Sequence, residues 1–492
     1  MNHLHHLHHH LHHHRQRPAG APASGRGLLP VLLVAQLMVI LDITAVNIAM
    51  PSLARDLHIS GATISWTITA YSLVFGSLLL LGGRAADLLG RRRVFFAGLS
   101  VFTASSLASA LAASAASLFA ARAGQGLGAA MLSPAMLSII TTSFRGEERA
   151  RALGAWGAVG GAGAAVGVLL GGVLTQVADW RAIFFINLPV AIVLGVAGRK
   201  VIPVDRQAPR WRGLDLRGAL VTTTSLAALV YALTQASAVG WTSARTIAIG
   251  LAALAGLTAF AILERRAAEP LLRMQRLQDR AVGGGFTLML LASAVMFGAL
   301  TLSSLYLQNI LGAGPLTTGL DFLPFAVSAA AGAHLGAAQL VSRFGIRLPM
   351  AGAFATAAAG MLLLAGVDKG GNYVTDVLPG LVVAGLGLGM VLASIGLSVL
   401  SGARDDEAGM LSGLNTTGHE IGGTLGIAVL VTIATAGAGS GLGAIGATGI
   451  DDAFLAAGAV AALASMLALL VLPPARNFLP KLRLSPSTMP IH

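Results

Sequence analysis

Two carboxylates stand where a carboxylate is costly. Asp42, in VILDITAVNIAMP (Val39 to Pro51), and Glu420, in NTTGHEIGGTLG (Asn415 to Gly426), are the two acids placed well inside long apolar segments. An aspartate at the centre of a spanning helix costs about 2.5–3.5 kcal/mol on insertion scales. Burial in hydrocarbon disfavours the charged form of a carboxyl, so such a group can be neutral in one state of a carrier and ionised in another. Both are therefore candidate proton sites; the competing reading is a carboxylate held by a helix-capping or interhelical hydrogen bond. Asp42 shares a helix face with Ala45 and Ala49, small residues that let a neighbouring helix come close. Glu420 shares its face with Thr417 and Thr424. His419, one residue earlier, points about 100° away and need not touch it. It reads either as a further proton-coupling group or as a hydrogen-bonded packing residue. Arg122 is the one strong base within a span. An unpaired guanidinium in lipid is costly, so it must face the protein interior and find an acid or helix carbonyls, and Asp42 is a plausible partner.

These residues need long apolar elements to hold them, and the composition supplies little else. The chain of 492 residues is 55% hydrophobic and 11% charged, with 62 glycines and a mean hydropathy of +0.78. Water-soluble domains carry about 25% charged residues, so this is the composition of a multi-pass membrane protein. Fourteen apolar segments have the length of a spanning helix. They run roughly over 28–50, 62–82, 94–114, 117–141, 152–176, 182–200, 218–238, 244–264, 283–310, 317–341, 347–366, 377–401, 411–436 and 453–472. All should be helices, because a lipid-facing backbone must satisfy its own hydrogen bonds. With the N-terminus in the cytoplasm, Arg55, Arg181, Arg245 and Lys369 fall outside and Arg122 within a span, which leaves 27 of the 32 Lys and Arg on the cytoplasmic side. That asymmetry is the positive-inside pattern, with both termini cytoplasmic in a cell membrane. The net charge of +12 is thus topology, aided by anionic lipid headgroups, and not a nucleic-acid surface. Zero cysteines exclude disulfides, thiolate metal sites and cysteine nucleophiles. No cleavable signal peptide is evident. The leader MNHLHHLHHHLHHH holds nine of thirteen histidines and reads as a metal-binding tail or as a low-complexity leader.

Two basic connections look alike: GGRAADLLGRRRVFFAG (Gly82 to Gly98) after the second span and AAQLVSRFGIRLPMAGA (Ala337 to Ala353) after the tenth. Each ends a helix, turns at a glycine with an arginine close behind, and starts another helix. They lie eight spans apart. Pairing spans 1–6 with spans 9–14 leaves spans 7 and 8 inserted, the internal symmetry expected of a secondary transporter. GGRAADLLGRRR resembles the helix 2–3 signature of the major facilitator superfamily, and RAGQGLGAAM (Arg122 to Met131) resembles its helix-4 motif. GGAGAAVGVLLGG (Gly160 to Gly172) resembles its helix-5 antiporter motif. LDITAVNIAMP and DWRAIFFINLPV (Asp179 to Val190) are similar to segments of its fourteen-helix drug:proton antiporter branch, and the likeness extends from about residue 28 to 475.

The resemblance implies an all-α integral membrane protein of the major-facilitator fold, two six-helix bundles plus two inserted helices. The expected layout is a cytoplasmic tail over 1–27, bundles over 28–200 and 283–473 around an inserted pair at 201–282, and a second tail over 474–492. It implies a proton-transfer role for Arg122, and a cytoplasmic gate made by Gly83, Asp87, Gly90, Arg91 and Arg92, in which the acid latches one conformation. Asp87 and Arg91 are four apart, the spacing of an ion pair if the helix continues. It also implies that Gly163, Gly167, Gly171 and Gly172 form a tight face sealing the two halves. Two departures stand out. Gly167 is followed by Val168 where the motif carries proline, and Ala85 and Leu88 replace the usual leucine and arginine, which should weaken the gate's charge network.

Asn47, Trp66, Tyr71, Gln125, Tyr306 and Asn415 are candidate substrate-cavity residues, combining aromatic area with a few hydrogen-bonding groups. No catalytic set emerges, and no cofactor or resident metal is expected. GLGLG (Gly385 to Gly389) lacks the strand and lysine of a nucleotide loop. The expected function is proton-coupled export of small amphipathic molecules by alternating access, with substrate, protons and membrane lipids as partners and no oligomer required. An uptake symporter or lipid exporter on the same scaffold is the nearer alternative, a non-transporting receptor the more distant.

Overall fold

The computed structural model describes residues 27–59, 66–205, 208–211, 215–267, 269–367, 370–404, 406–435 and 447–483. The histidine-rich leader falls outside the described residues. Among the described residues the chain is helical, with no strand. The spanning elements are α1 (Leu28–Asp56), α2 (Trp66–Leu89), α3 (Arg91–Ala110), α4 (Ala115–Ser143), α5 (Gly146–Val177), α6 (Ala182–Val201), α7 (Leu216–Val239) and α8 (Ala244–Glu264). Then come α9 (Arg280–Ile310), α10 (Leu316–Phe344), α11 (Arg347–Leu364), α12 (Tyr373–Val399), α13 (Ala408–Thr435) and α14 (Ala447–Val471). Thirteen of the fourteen expected spans are long and apolar enough, among the described residues, to cross a membrane. The fourteenth, α5, is an unbroken helix of 32 residues, longer than the roughly 20 a bilayer needs. It starts six residues before its apolar stretch, because a helix can run past the hydrocarbon into a polar first turn, here Glu147 and Glu148.

Packing repeats with a shift of eight helices. In the first half α1 lies along α5, α2 and α3 on α4, and α3 on α6. In the second, α9 lies along α13, α10 and α11 on α12, and α11 on α14. Two contacts exchanged by the same symmetry, α2 on α13 and α5 on α10, join the halves. The inserted α7 and α8 pack on each other, and α7 reaches both α2 and α13.

The turns expected to match in the two halves do so for one backbone reason. Gly90 at φ +105° and Gly345 at φ +77° both occupy conformations that L side chains rarely adopt. Gly90 has a further constraint: a Cβ there would meet the Asp205 carboxylate at 2.3 Å. That carboxylate accepts from the backbone N–H of Arg92 (3.2 Å) and Arg93 (3.0 Å). It thus satisfies donors that the start of α3 cannot satisfy alone.

The helix-5 glycines pack differently from the expectation. A Cβ on Gly163, Gly167 or Gly171 would meet Ile40, Thr44 and Ala45, all on α1 of the same half. A period of four makes one stripe, and that stripe faces α1. The α5 residues that approach the other half lie outside it: Gly157 against Ala393, and Gly172 toward Leu316. The Val168 side chain is outside the described set. A Gly171→Val substitution, whose Cβ would sit 2.7 Å from the Ala45 Cα, is expected to destabilise by about 1–3 kcal/mol through overpacking. Gly250→Val, with nothing within 4 Å, is expected to leave thermal unfolding in detergent unchanged. Equal melting temperatures for the two would contradict this packing.

At the end opposite the basic loops, Arg181 donates to Asp56 (2.6 Å), as does the Trp180 indole (3.2 Å), and the guanidinium lies 4.3 Å from that ring. The hydrogen bonds from Arg181 and Trp180 hold the Asp56 carboxyl below its ordinary value of 3.8. Because the folded value is the lower one, this staple contributes above the ordinary value and is lost as pH falls through the depressed one. In a variant keeping Trp180 as its sole tryptophan, emission should stay constant from about pH 7 to 5 and shift only below about pH 4. A change complete above about pH 5 would contradict it.

Candidate functional site

Asp42 and Arg122 are both 1% exposed and form an ion pair at 2.5 Å, between α1 and α4. The carboxylate has further donors: Gln125 Nε2 to Oδ1 at 2.8 Å and Asn187 Nδ2 to Oδ1 at 3.0 Å. Arg122 also donates to the Thr67 carbonyl (3.0 Å) and to Gln125 Oε1 (2.9 Å), and its guanidinium lies 4.6 Å from the Tyr71 ring centre. Ser106 and Ser109 complete the cluster. Ser109 donates to Gln125 Oε1 (3.0 Å), while Ser106 accepts from Asn187 (2.9 Å) and Gln125 (3.2 Å) and donates to the Phe184 carbonyl (3.0 Å). Helices α1, α2, α3, α4 and α6 thus converge on one carboxylate. A buried ion pair offsets its desolvation only when further hydrogen bonds support it, and here both carboxylate oxygens and the Arg122 Nε and Nη1 have partners.

Glu420 has the opposite environment. It lines a cavity between the two halves, and among the described residues its carboxylate has no hydrogen-bond or ion-pair partner. The walls come from α1, α2, α4 and α5 on one side and α9, α12 and α13 on the other, mostly apolar, with Gln36, Thr44, Ser133, Asn415, Thr416 and His419 as polar exceptions beside Glu420. His419 turns from Glu420, as helical geometry requires, and its Nδ1 lies 2.7 Å from Ser293 Oγ while its ring stacks at 5.2 Å on Phe297. Asn415 Oδ1 is buried without a partner.

The sequence-derived cavity set dissolves into several places. Asn415 lines the cavity; Gln125 and Tyr71 belong to the Asp42 cluster instead. Trp66 packs against Tyr231 of α7 at 6.2 Å. Tyr306 is buried in the core, and the Asn47 side chain lies outside the described set. Tyrosine and glutamine serve a cavity or a buried ion pair equally well, and composition does not separate the two. Asp42 itself does not line the cavity. On α1 the cavity is lined by Gln36, Val39, Ile40, Ile43 and Thr44, while the Asp42 carboxylate is directed at Arg122, Gln125 and Asn187. Asn187, Ser106 and Ser109 were missed. Their signal is weak: single small polar residues on otherwise apolar helices, whose shared target appears only when the helices are packed.

The gate residues meet at the basic end. The Asp87 carboxylate accepts from the N–H groups of Gly409 and Met410, both at 2.8 Å, so an acid of the first half caps α13 of the second. The halves touch backbone to backbone there, since a Cβ on Gly83 would lie 2.2 Å from the Gly409 carbonyl oxygen. Arg91 lies 3.5 Å from Asp87 even though the helix breaks at Gly90. It also donates to Ser138 at 2.7 Å. Arg92 turns the other way, donating to the carbonyls of Ile202 (2.6 Å) and Arg199 (2.9 Å). Among the described residues no cluster of histidine and acidic side chains could hold a metal ion.

Removing one partner of the buried pair should cost about 3–5 kcal/mol. Arg122→Ala is therefore expected to lower thermal stability sharply, and Asp42→Asn in that background to restore part of it, because the orphaned charge goes. If the double variant is as unstable as the sum of the singles, the two residues are not coupled.

Comparison with known proteins gives one consistent result. The profile of the Major Facilitator Superfamily matches residues 32–427. The puromycin resistance protein of Streptomyces alboniger is 42% identical over 410 residues, covering 83% of this chain and 81% of its own. The cephamycin export protein of Amycolatopsis lactamdurans is 37% identical over 444 residues, covering 89% and 90%. The multidrug resistance protein Stp of Mycobacterium tuberculosis is 34% identical over 402 residues, covering 81% and 74%. Among solved structures, the human organic anion transporter MFSD10 superposes with a TM-score of 0.64 at 16% identity, over 90% of this chain and 99% of that one, a likeness of fold.

Proposed function

The chain belongs to the Major Facilitator Superfamily and is a multi-pass membrane transporter, not an enzyme, and from that premise we propose that it exports small amphipathic compounds, drugs or antibiotics, in exchange for protons. Three relatives that match over most of their length are named for resistance to, or export of, such compounds, which supports export over uptake. The basic end is taken as cytoplasmic, which puts both termini there and the protein in the cell membrane. Residues 28–200 and 283–473 act as the two moving bundles, with 201–282 inserted between them.

The observation that carries the reading is the contrast between the two acids within spans, Asp42 buried and Glu420 partly exposed to the cavity. Glu420 faces the cavity with no partner, so a proton and a cationic substrate can compete for it, and His419 and Asn415 offer hydrogen bonds beside it. Asp42, paired with Arg122, sits behind α1 and senses protonation without touching substrate. A proton arriving at Asp42 breaks the pair, frees α1 from α4 and α6, and permits the bundles to rock. The gate of Gly83, Asp87, Gly90, Arg91 and Arg92 holds the cytoplasmic side shut while the cavity is reached from outside. Each proton moved down a 100 mV potential supplies about 2.3 kcal/mol.

The test is gradient-driven dye transport in inverted vesicles. Asp42→Asn is expected to abolish it when rates are compared per amount of folded protein, since the change also leaves Arg122 unpaired, and Glu420→Gln to reduce transport of cations most. Full activity of Asp42→Asn would remove that residue from the mechanism. Equal loss for neutral and cationic compounds in Glu420→Gln would assign it to coupling and not to recognition.

A further inference from the structure

The inserted pair touches both helices of the gate, and its two linkers are tied to opposite bundles. On the first, Asp205 caps α3 and the N–H of Arg210 donates to the Leu88 carbonyl (2.9 Å). On the second, Arg273 pairs with Asp406 (2.9 Å) and Glu407 (3.2 Å), just ahead of α13, and Arg276 pairs with Glu407 and donates to the Gly402 carbonyl (2.8 Å). One residue closes the loop between them. Glu269 lies 2.6 Å from Arg210 and 3.8 Å from Arg84 on α2. Arg84 is buried, its Nε has no partner, and Glu269 is its ion pair among the described residues. Close by, Glu264 at the end of α8 is buried, with Oε2 accepting from the Leu272 N–H (3.0 Å) and Oε1 unpartnered. Buried charges of opposite sign left under-satisfied demand an explanation. The position also answers a deficit in the gate. Leu88 stands where the family signature carries arginine, and Arg210 brings a guanidinium to that helix end from the linker.

We propose that Glu269 is a gate-positioning residue: through Arg84 it clasps α2 to the linker anchored on α13, making the inserted pair a strap that holds the basic-end gate shut in parallel with Asp87. Opening the gate then requires the clasp to release. This rests on the alternating-access reading, and its test therefore uses gate accessibility in the absence of substrate, so that it can fail while export stands.

Because the chain has no cysteine, Ser412→Cys supplies a single thiol. Ser412 is fully buried on α13, one turn from the cavity-lining Thr416. In inverted vesicles, a membrane-impermeant maleimide reports how often the gate exposes it. Glu269→Gln and Arg84→Gln are each expected to speed labelling by about threefold, the scale of one partly exposed ion pair. The double variant should label no faster than either single, and Glu269→Asp should stay near the parent. A second arm needs no change in the clasp. In the Ser412→Cys parent, raising salt from about 0.05 to about 0.5 M should speed labelling, because Glu269 and Arg210 are reached by solvent. Parent-like labelling in Glu269→Gln, effects that multiply in the double variant, or salt-independent labelling of the parent would each overturn the proposal.

Discussion

A carboxylate cannot sit in hydrocarbon alone, and most of the first bundle follows from how Asp42 is accommodated. Its charge is met by Arg122, whose own donors are met by Thr67 and Gln125, whose amide is met in turn by Ser109 and Ser106. With Asn187, which also donates to the carboxylate, these groups come from four other helices, so satisfying one acid fixes α1 against α2, α3, α4 and α6. The stripe of Gly163, Gly167 and Gly171 completes the seating from the remaining side by letting α5 lie directly on α1. The antiporter-like glycines and the intramembrane acid are therefore parts of one arrangement: both determine where α1 can be.

That arrangement keeps the Asp42–Arg122 pair apart from the cavity lining. Gln36, Val39, Ile40, Ile43 and Thr44 line the cavity, while the Asp42 carboxylate is held by Arg122, Gln125 and Asn187. A change at Asp42 can reach a substrate only by moving α1, which suits a rocking carrier. Among the described residues, the second half has no equivalent ion pair on its repeat-related helix α9. Glu420, on α13, lines the cavity, and its carboxylate has no partner among the described residues. The halves are related in packing but divided in chemistry.

Much of this was legible in the sequence, and the parts that were not share a cause. The spans, the eight-helix repeat, the glycine turns and the Asp42–Arg122 partnership follow from hydropathy, charge cost and spacing, which are local or one-body quantities. Gly90 and Gly345 could be read because a sharp turn between two helices has few solutions. Gln125 and Tyr71 lie at the Asp42 pair and not in the cavity lining, and Gly163, Gly167 and Gly171 meet α1 while Gly172 alone of that set points toward the other half, because these placements depend on which way a helix is rotated. A period of four says that residues share a face but not which neighbour the face meets. Asn187, Ser106 and Asp205 were invisible for the same reason: each is unremarkable in its own segment and matters only to a partner more than a hundred positions away or across a bundle.

The central claim is that the unpartnered Glu420 exchanges a proton for substrate while the paired Asp42 does not meet substrate at all. It is tested most directly by counting protons released when a transported cation is added to the purified protein in weakly buffered solution. The account predicts release from the wild-type protein, loss of that release in Glu420→Gln, and unchanged cation affinity in Asp42→Asn. Release that persists in Glu420→Gln, or no release from the wild type, would contradict it.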